Sequence, residues 1–475
     1  MIRFPAGFNG YDRIKRYVDY YQASYGITML SSGQFGAGTA AGYLLGSEPN
    51  GLAVDFTASS ADMLIRDSTG ALNYSGAPFT QSGGKISFSR ASSATRVNSS
   101  GLIETVTTDV PRIDYDPVTL AAKGLLVEEG RTNIAVQSND FSTTWTKTSV
   151  VDAPNAIISP DGTLTGDGML ASTTTSTLKR FSQVITVVNA TVYTQSVYVK
   201  AGLATTLNFR FDAGNNVSFD LSAKTATIAG AFFTRASILD AGNGWYRCDA
   251  TFTSTSTSYT LWFGPSAANT TYASTVTPIL YLWGAQLELG SFSTSLVPTL
   301  ATAVARAIEI VPLGVSEFPY SVSEGTLVAA GDFVGFSAAK QPTFVSITDG
   351  IATASPSASW VNISQDTSNI VASRRSSSTT ATDITASNTQ TVNVVRKVGL
   401  AFKQSGTDAL SVNGAAVATQ PGVAAAYTNV TLKIGAFDTA SSPSATDPFY
   451  LNGHVRQITY IPRQVSNAEL EARTA

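Results

Sequence analysis

Few side chains in this sequence carry the chemistry of catalysis. Its 475 residues include one histidine, His454, and one cysteine, Cys248. Acid, base and nucleophilic catalysis need tuned groups of these kinds or paired carboxylates. A Ser-His-Asp triad would have to use His454, which enters the last predicted strand through Gly453-His454-Val455 and reads as a turn or surface residue. There is no G-x-S-x-G elbow, no H-E-x-x-H, no Cys/His cluster and no phosphate-cradling Gly loop. Cys248 shares one face of a strand with Tyr246, Ala250 and Phe252 at period two, so it reads as a buried thiol. With one cysteine no intrachain disulfide is possible, and no clear cationic neighbour would activate the thiol.

Glycoside hydrolysis is the serious enzymatic alternative. It needs two carboxylates roughly 5 to 9 Å apart across a cleft. Asp109, Asp114, Asp116, Glu128 and Glu129 are the candidates. Structural roles are favoured for them. Asp114 and Asp116 flank Tyr115 in a proline-bounded loop, and Glu128-Glu129 precede an arginine, Arg131, positioned to pair with them. The chain also lacks the repeating coils of a β-helix. Sugar binding needs aromatic planes with a few polar partners. Trp262, Trp360, Tyr198 and Trp245 are the candidates, with Tyr246 and Tyr259 behind them. Trp283 follows an apolar strand and reads as core. Trp262 faces away from Leu261 and Phe263, onto an outer face or into a second core. Trp360 lies in a polar stretch and reads as exposed. No cofactor is implied, but calcium has oxygen ligands available in loops: Asn139 and Asp140 first, then Asp161 and Asp167.

The elements that must position these groups are strands. Charged residues are 13 % of the chain, about half the usual share. Ser, Thr, Ala and Gly take their place, which suits strands and tight turns better than long helices. The net charge of −3 gives no reason to bind nucleic acid. No run of 18 apolar residues exists, so no membrane insertion is expected. The N-terminus lacks the apolar core of a signal peptide, so synthesis in a cytoplasm is expected. Residues 11–22 carry the strong helical period, with Ile14, Tyr17, Val18 and Tyr21 on one face. That helix is too short to stand alone, and it docks either on its own chain or on sister subunits or a larger platform.

Length suggests about three domains at roughly 100–200 residues each. The pattern divides the chain into a mounting region at 1–60, a turn-rich β connector at 61–135, a jelly-roll sandwich at 136–300, a linker at 301–319 and a concanavalin-like sandwich at 320–475. Alternation is clearest at Tyr193–Val199, Leu207–Phe211, Tyr259–Phe263 and Ile279–Leu287. Asn413-Gly414 between apolar runs predicts a tight hairpin turn. Ser466-Asn-Ala-Glu469 predicts a capped terminal helix. The fold class is all-β, as tandem β-sandwiches with a short N-terminal helix.

Three sets of motifs carry a resemblance. Phe88–Arg96 leads through Pro111–Asp116 to Gly124–Asn133. Ser138–Phe141 and Trp145 go with Ser196–Lys200, Gly244–Arg247 and Trp283–Gly290. Phe449–Tyr460 precedes the Ser466 helix. In this order and spacing, over residues 85–475, the chain resembles a group of bacteriophage tail-fibre, tail-spike and head-fibre proteins with carbohydrate-binding-type jelly-roll and concanavalin or laminin-G-like domains. The resemblance implies a virion location, homotrimeric assembly with sister subunits and other virion proteins, and binding of host cell-surface polysaccharide without catalysis. A head-fibre or decoration role and a capsule-degrading spike are the alternatives it leaves.

Overall fold

A computed structural model of the chain describes residues 44–46, 48–57, 61–272, 275–335, 341–349, 360–366, 369–375, 382–387, 392–423, 428–437 and 449–475. The helix expected at 11–22 lies outside them. The described residues form two β-sandwiches, one inserted into the chain of the other.

The carrier sandwich joins both ends of the described chain. Its larger sheet runs in the order Leu72–Gly76, Asp62–Arg66, Gly51–Asp55, Gly453–Ile461, Glu324–Phe333, Arg396–Lys403, Thr407–Val412 and Ala418–Pro421. Ala122–Val127 pairs with the start of Gly453–Ile461, and Ile113–Tyr115 pairs with Ala122–Val127. Residues 61–127, which look polar and turn-rich in sequence, thus contribute four strands to this sheet. The facing sheet runs Pro312–Gly314, Thr431–Ile434, Thr343–Thr348, Trp360–Gln365, Asn369–Arg375 and Thr382–Ser387. Alternate residues of the two sheets, such as Leu327, Ala329, Leu400, Val345, Ile347 and Ile363, meet in one core.

The inserted sandwich has a six-stranded sheet in the order Val150–Ile158, Leu164–Ala171, Leu280–Leu289, Val192–Ala201, Trp245–Thr253 and Phe233–Asp240. Two three-stranded sheets cover its inner face: Ser258–Phe263, Arg180–Thr186 and Thr146–Thr148, and Thr206–Arg210, Asn216–Asp220 and Thr225–Ala229. Val197, Val199, Cys248, Ala250, Phe252, Leu282 and Leu287 fill a second, separate core.

The chain enters and leaves the insertion through a two-stranded neck. Arg131–Asn133 pairs antiparallel with Val304–Arg306, and Asn133 lies opposite Val304. Residues 301–319 are therefore woven into the fold, since Pro312–Gly314 also pairs with Thr431–Ile434. Asn413 and Gly414 adopt φ of 51° and 72°, and the Ala415 N–H bonds the Val412 carbonyl, so the predicted tight turn forms. Strand pairing resumes only at Ala418, in a strand that alternation misses. The terminal helix is Asn467–Thr474, and the Ser466 side chain accepts the Glu469 N–H. Leu470 and Val465 seal it onto Ala401, Ala409 and Ile461 on the outer face of the larger sheet.

Candidate functional site

The charged residues of the first motif set meet at the seam between the sandwiches, near the neck. The Arg112 guanidinium makes two parallel bonds to Glu309, each 2.7 Å, and also reaches Glu128 at 2.7 Å. Arg90 donates to Glu309 at 2.9 Å, and Arg306 pairs with Glu128. Ser295, from the inserted sandwich, donates its N–H and hydroxyl to Glu128 and accepts from Arg112 and Arg306. All five charged groups are buried. Burial alone would raise the Glu128 pKa, but Arg306 and Arg112 outweigh it and hold the carboxyl far below its usual range. Burial likewise pulls Arg112 down, while Glu309 and Glu128 push it above its ordinary value. Beside this network Arg131 pairs with Glu129 as the sequence predicts, and lies over the Phe292 ring. Asn133 bonds the Ala285 and Val297 carbonyls and accepts the Leu287 N–H.

Above the network the seam opens into a cleft of about 620 Å³. The carrier side contributes the hairpin Ala94–Val97 and Ile103–Val106, Asp114 to Lys123, and Asp332, His454 and Arg456. The inserted side contributes Tyr198, Arg235, Leu239 to Ala241, Arg247, Asp249 and Ser293 to Leu296. Asp116 to Ala121 form a lip over the cleft. The Asp116 carboxylate accepts the Val118 and Thr119 N–H groups at 2.9 and 2.7 Å, fixing the turn. That turn reaches the inserted sandwich at Gly242, whose φ is 77° and where a Cβ would stand 2.7 Å from the Pro117 carbonyl.

His454 is not on a surface turn. It is buried in the cleft wall, with Nδ1 2.7 Å from Asp332 and Nε2 3.0 Å from Asp114. Asp332 lies opposite it in the ladder, and Asp114 comes from the short strand Ile113–Tyr115. Burial lowers the imidazole pKa, but Asp332 and Asp114 more than restore it, and the net shift is upward. Both ring nitrogens are engaged, so neither is free to take a proton from a nucleophile. The remaining carboxylates read as hydrolase candidates are also engaged locally. Asp109 accepts the Arg90 N–H, Asp114 accepts the Val97 N–H, and Glu128 and Glu129 belong to the ion pairs.

The aromatic candidates sit elsewhere than the sequence places them. Tyr198, Trp245 and Trp283 form one buried cluster with Leu296, against which Ile103 and Ile157 pack. This is the outer face of the six-stranded sheet, covered by the carrier's hairpin. It explains why Ile279–Leu287 is apolar on both faces: one faces the core and the other faces the seam. Trp262 is 1 % exposed, so it belongs to a buried face, and its ring edge lies against Gly264. Trp360 is 7 % exposed instead of lying in an open loop. It starts the strand Trp360–Gln365 and packs against Phe437 and under Arg375. It lines a separate pocket of about 320 Å³ with Phe437 and Phe449, away from the seam. Cys248 is buried with its pKa raised by burial and by Asp249, as a strand thiol should be.

Of the calcium candidates, Asn139, Asp140 and Asp167 line one pocket, and Asp161 lies apart. Asp140 accepts the Ser142 N–H, and Asp167 accepts the Phe141 and Asn155 N–H groups. Among the described residues no group of three or more His, Cys, Asp or Glu side chains is placed to hold a metal ion.

Fold and site define an all-β protein of two sandwiches, one inserted in the other, with a charged cleft along their seam. No family model matches the sequence, and no curated protein matches it. Among solved structures it is similar to the Ruminococcus gnavus IT-sialidase CBM40, at 17 % identity and TM-score 0.26 over 33 % of this chain and 84 % of that one. It is similar to mouse laminin alpha1 chain domains LG4-5, at 10 % identity and TM-score 0.25 over 64 % and 95 %. Tail fiber protein gp63.1 from E. coli phage G7C aligns at 9 % identity and TM-score 0.17 over 70 % of this chain and 40 % of that one. These TM-scores lie below 0.5, and the fold stands on the strands themselves.

Proposed function

We propose that this chain is a non-enzymatic, glycan-binding subunit of a bacteriophage surface fibre or spike, assembled as a homotrimer in the host cytoplasm and carried on the virion. The observation that carries the binding reading is the cleft of about 620 Å³, where charged and polar side chains from both sandwiches stand among apolar ones. Its volume falls in the range of small-ligand sites, and a saccharide needs several donors and acceptors around one concave surface. Of the aromatic candidates Tyr198 lines the cleft with Trp245 packed behind it, while Trp262 and Trp360 lie away from it. The non-enzymatic part rests on the engagement of His454 and of the candidate carboxylates. The virion part rests on the order and spacing of the motifs in residues 85–475.

A glycan array probed with the full chain, beside a Val395→Trp variant that fills the cleft mouth, tests the binding reading. Saccharide binding that the variant loses supports it; absence of binding across the array defeats it. Incubating capsular polymer with the protein and following viscosity tests the non-enzymatic part, since a fall in viscosity would make the chain a depolymerase. Mass spectrometry of purified particles tests the virion location.

A further inference from the structure

We infer that the cleft receives a carboxylate, so that its ligand is an acidic saccharide; this rests on the glycan-binding reading above. Most of the charges around the cleft are matched within the protein. Arg235 pairs with Asp249 at 2.5 Å, Arg96 with Glu104 at 2.7 Å, and Asp240 with Lys224 at 2.9 Å. Lys123, Arg247 and Arg456 also line the cleft. Among the described residues these three have no carboxylate within the 4.0 Å of an ion pair. Of the carboxylates that line the cleft, Asp114 and Asp332 are held by His454, and Asp116 is held by its own turn.

One nitrogen of each guanidinium also lacks an acceptor. The Nε of Arg247 and the Nε of Arg456 are both buried without a hydrogen-bond partner. A buried N–H left unpaired is unfavourable, and a charged acceptor is the strongest partner it can gain. Arg247 is held ready for one. Its guanidinium lies 5.4 Å over the Tyr198 ring, and it donates to the Ser196 hydroxyl at 3.1 Å. Arg456 sits at a bulge, where Ala330 pairs with Gln457 but Gly331 pairs with Val455. The extra residue of a bulge is turned out of the regular ladder, which re-aims its side chain. Lys123 comes from the neighbouring strand Ala122–Val127. Two of the cations therefore belong to the carrier and one to the insertion, and a carboxylate between them would bridge the two sandwiches.

Calorimetric titration of the full chain tests this with matched pairs of ligands: oligogalacturonate against the same oligomer reduced to its neutral sugar, and sialyllactose against lactose. The two pairs separate a uronate source from a sialate source. The expected result is that at least one acidic member binds at least about tenfold more tightly than its neutral partner, with affinity falling as salt rises. Arg456→Gln should abolish that preference while leaving the melting temperature near that of the parent. Lys123→Gln, away from the bulge, gives a second reading if Arg456→Gln unfolds the sheet. Equal binding of acidic and neutral partners, or binding of the neutral members alone, overturns the inference and leaves glycan binding intact. Absence of binding by every member, together with an empty glycan array, overturns both.

Discussion

Both carboxylate oxygens of Asp152 are buried without a hydrogen-bond partner. Burial and the nearby Asp167 carboxylate push its pKa up to about 7. The sign follows by linkage: a carboxyl raised on folding binds its proton more tightly in the native state, so stability falls as pH rises from 3.8 through about 7. Asp152→Asn should therefore raise Tm more at about pH 8.5 than at about pH 5, as read by scanning fluorimetry; an equal gain at both would refute the assignment. His454 works in the opposite sense for its partners. Its raised pKa gives stability that is full below 6.5 and lost as pH climbs through the raised value. Asp332, although burial would raise it, is lowered by His454, so its share is present above 3.8 and lost as pH falls through the lowered value. The stability gap between the parent and His454→Gln should be widest near pH 6 and shrink by about pH 9. A gap that does not vary with pH would mean that the histidine is not held charged.

At the scale of elements, sequence periodicity showed the strands and left their partners hidden. Val197 and Val199 opposite Tyr198 are legible as a two-faced strand because side-chain direction alternates within a few residues. The pairing of Gly51–Asp55 with Gly453–Ile461 spans nearly the whole described chain, and no local pattern encodes it. The aromatic residues of the site were misplaced for the same reason: Tyr198 and Trp245 leave one core only to meet another element, the hairpin at Ile103, brought from far off in sequence. The arginine and glutamate motifs did carry a signal. Glu128 follows Leu125-Leu126-Val127 and Arg306 stands between Ala305 and Ala307, so these two charges lie in apolar runs, whereas Arg90 and Arg112 lie in polar ones. Glu309, the partner that Arg90 and Arg112 share, and Arg306 both lie outside the quoted motifs. Glu309→Gln removes the carboxylate that Arg90 and Arg112 share and leaves buried cations undercompensated. A loss of about 3–5 kcal/mol is expected, read as a shift in the urea midpoint at unchanged slope. A loss below about 1 kcal/mol would place these groups in contact with water.

For the whole molecule, the neck sets the relation between the sandwiches. Each has its own core, and the strands that lead in and out are hydrogen-bonded to each other with Asn133 opposite Val304. The insertion is therefore a closed excursion from the carrier, whose two ends could be joined by a short turn. Replacing residues 134–303 with Asn-Gly, a pair that closes two-residue hairpins, should leave a folded carrier with a β-type circular dichroism spectrum. It should also leave a less stable one. The deletion removes Ser295, which bonds Glu128, Arg112 and Arg306, and the Leu296 carbonyl that accepts the Thr95 hydroxyl. Each hydrogen bond to a charged group contributes about 1.5–3 kcal/mol where water does not replace it. Opening the seam lets water replace part of that, so a fall of about 2–3 kcal/mol is expected. The shortened chain should also lose saccharide binding, because Arg247 and Tyr198 leave with the insertion. An unfolded product would show that the ion network at the seam, and not the carrier's own core, holds the outer sheets together.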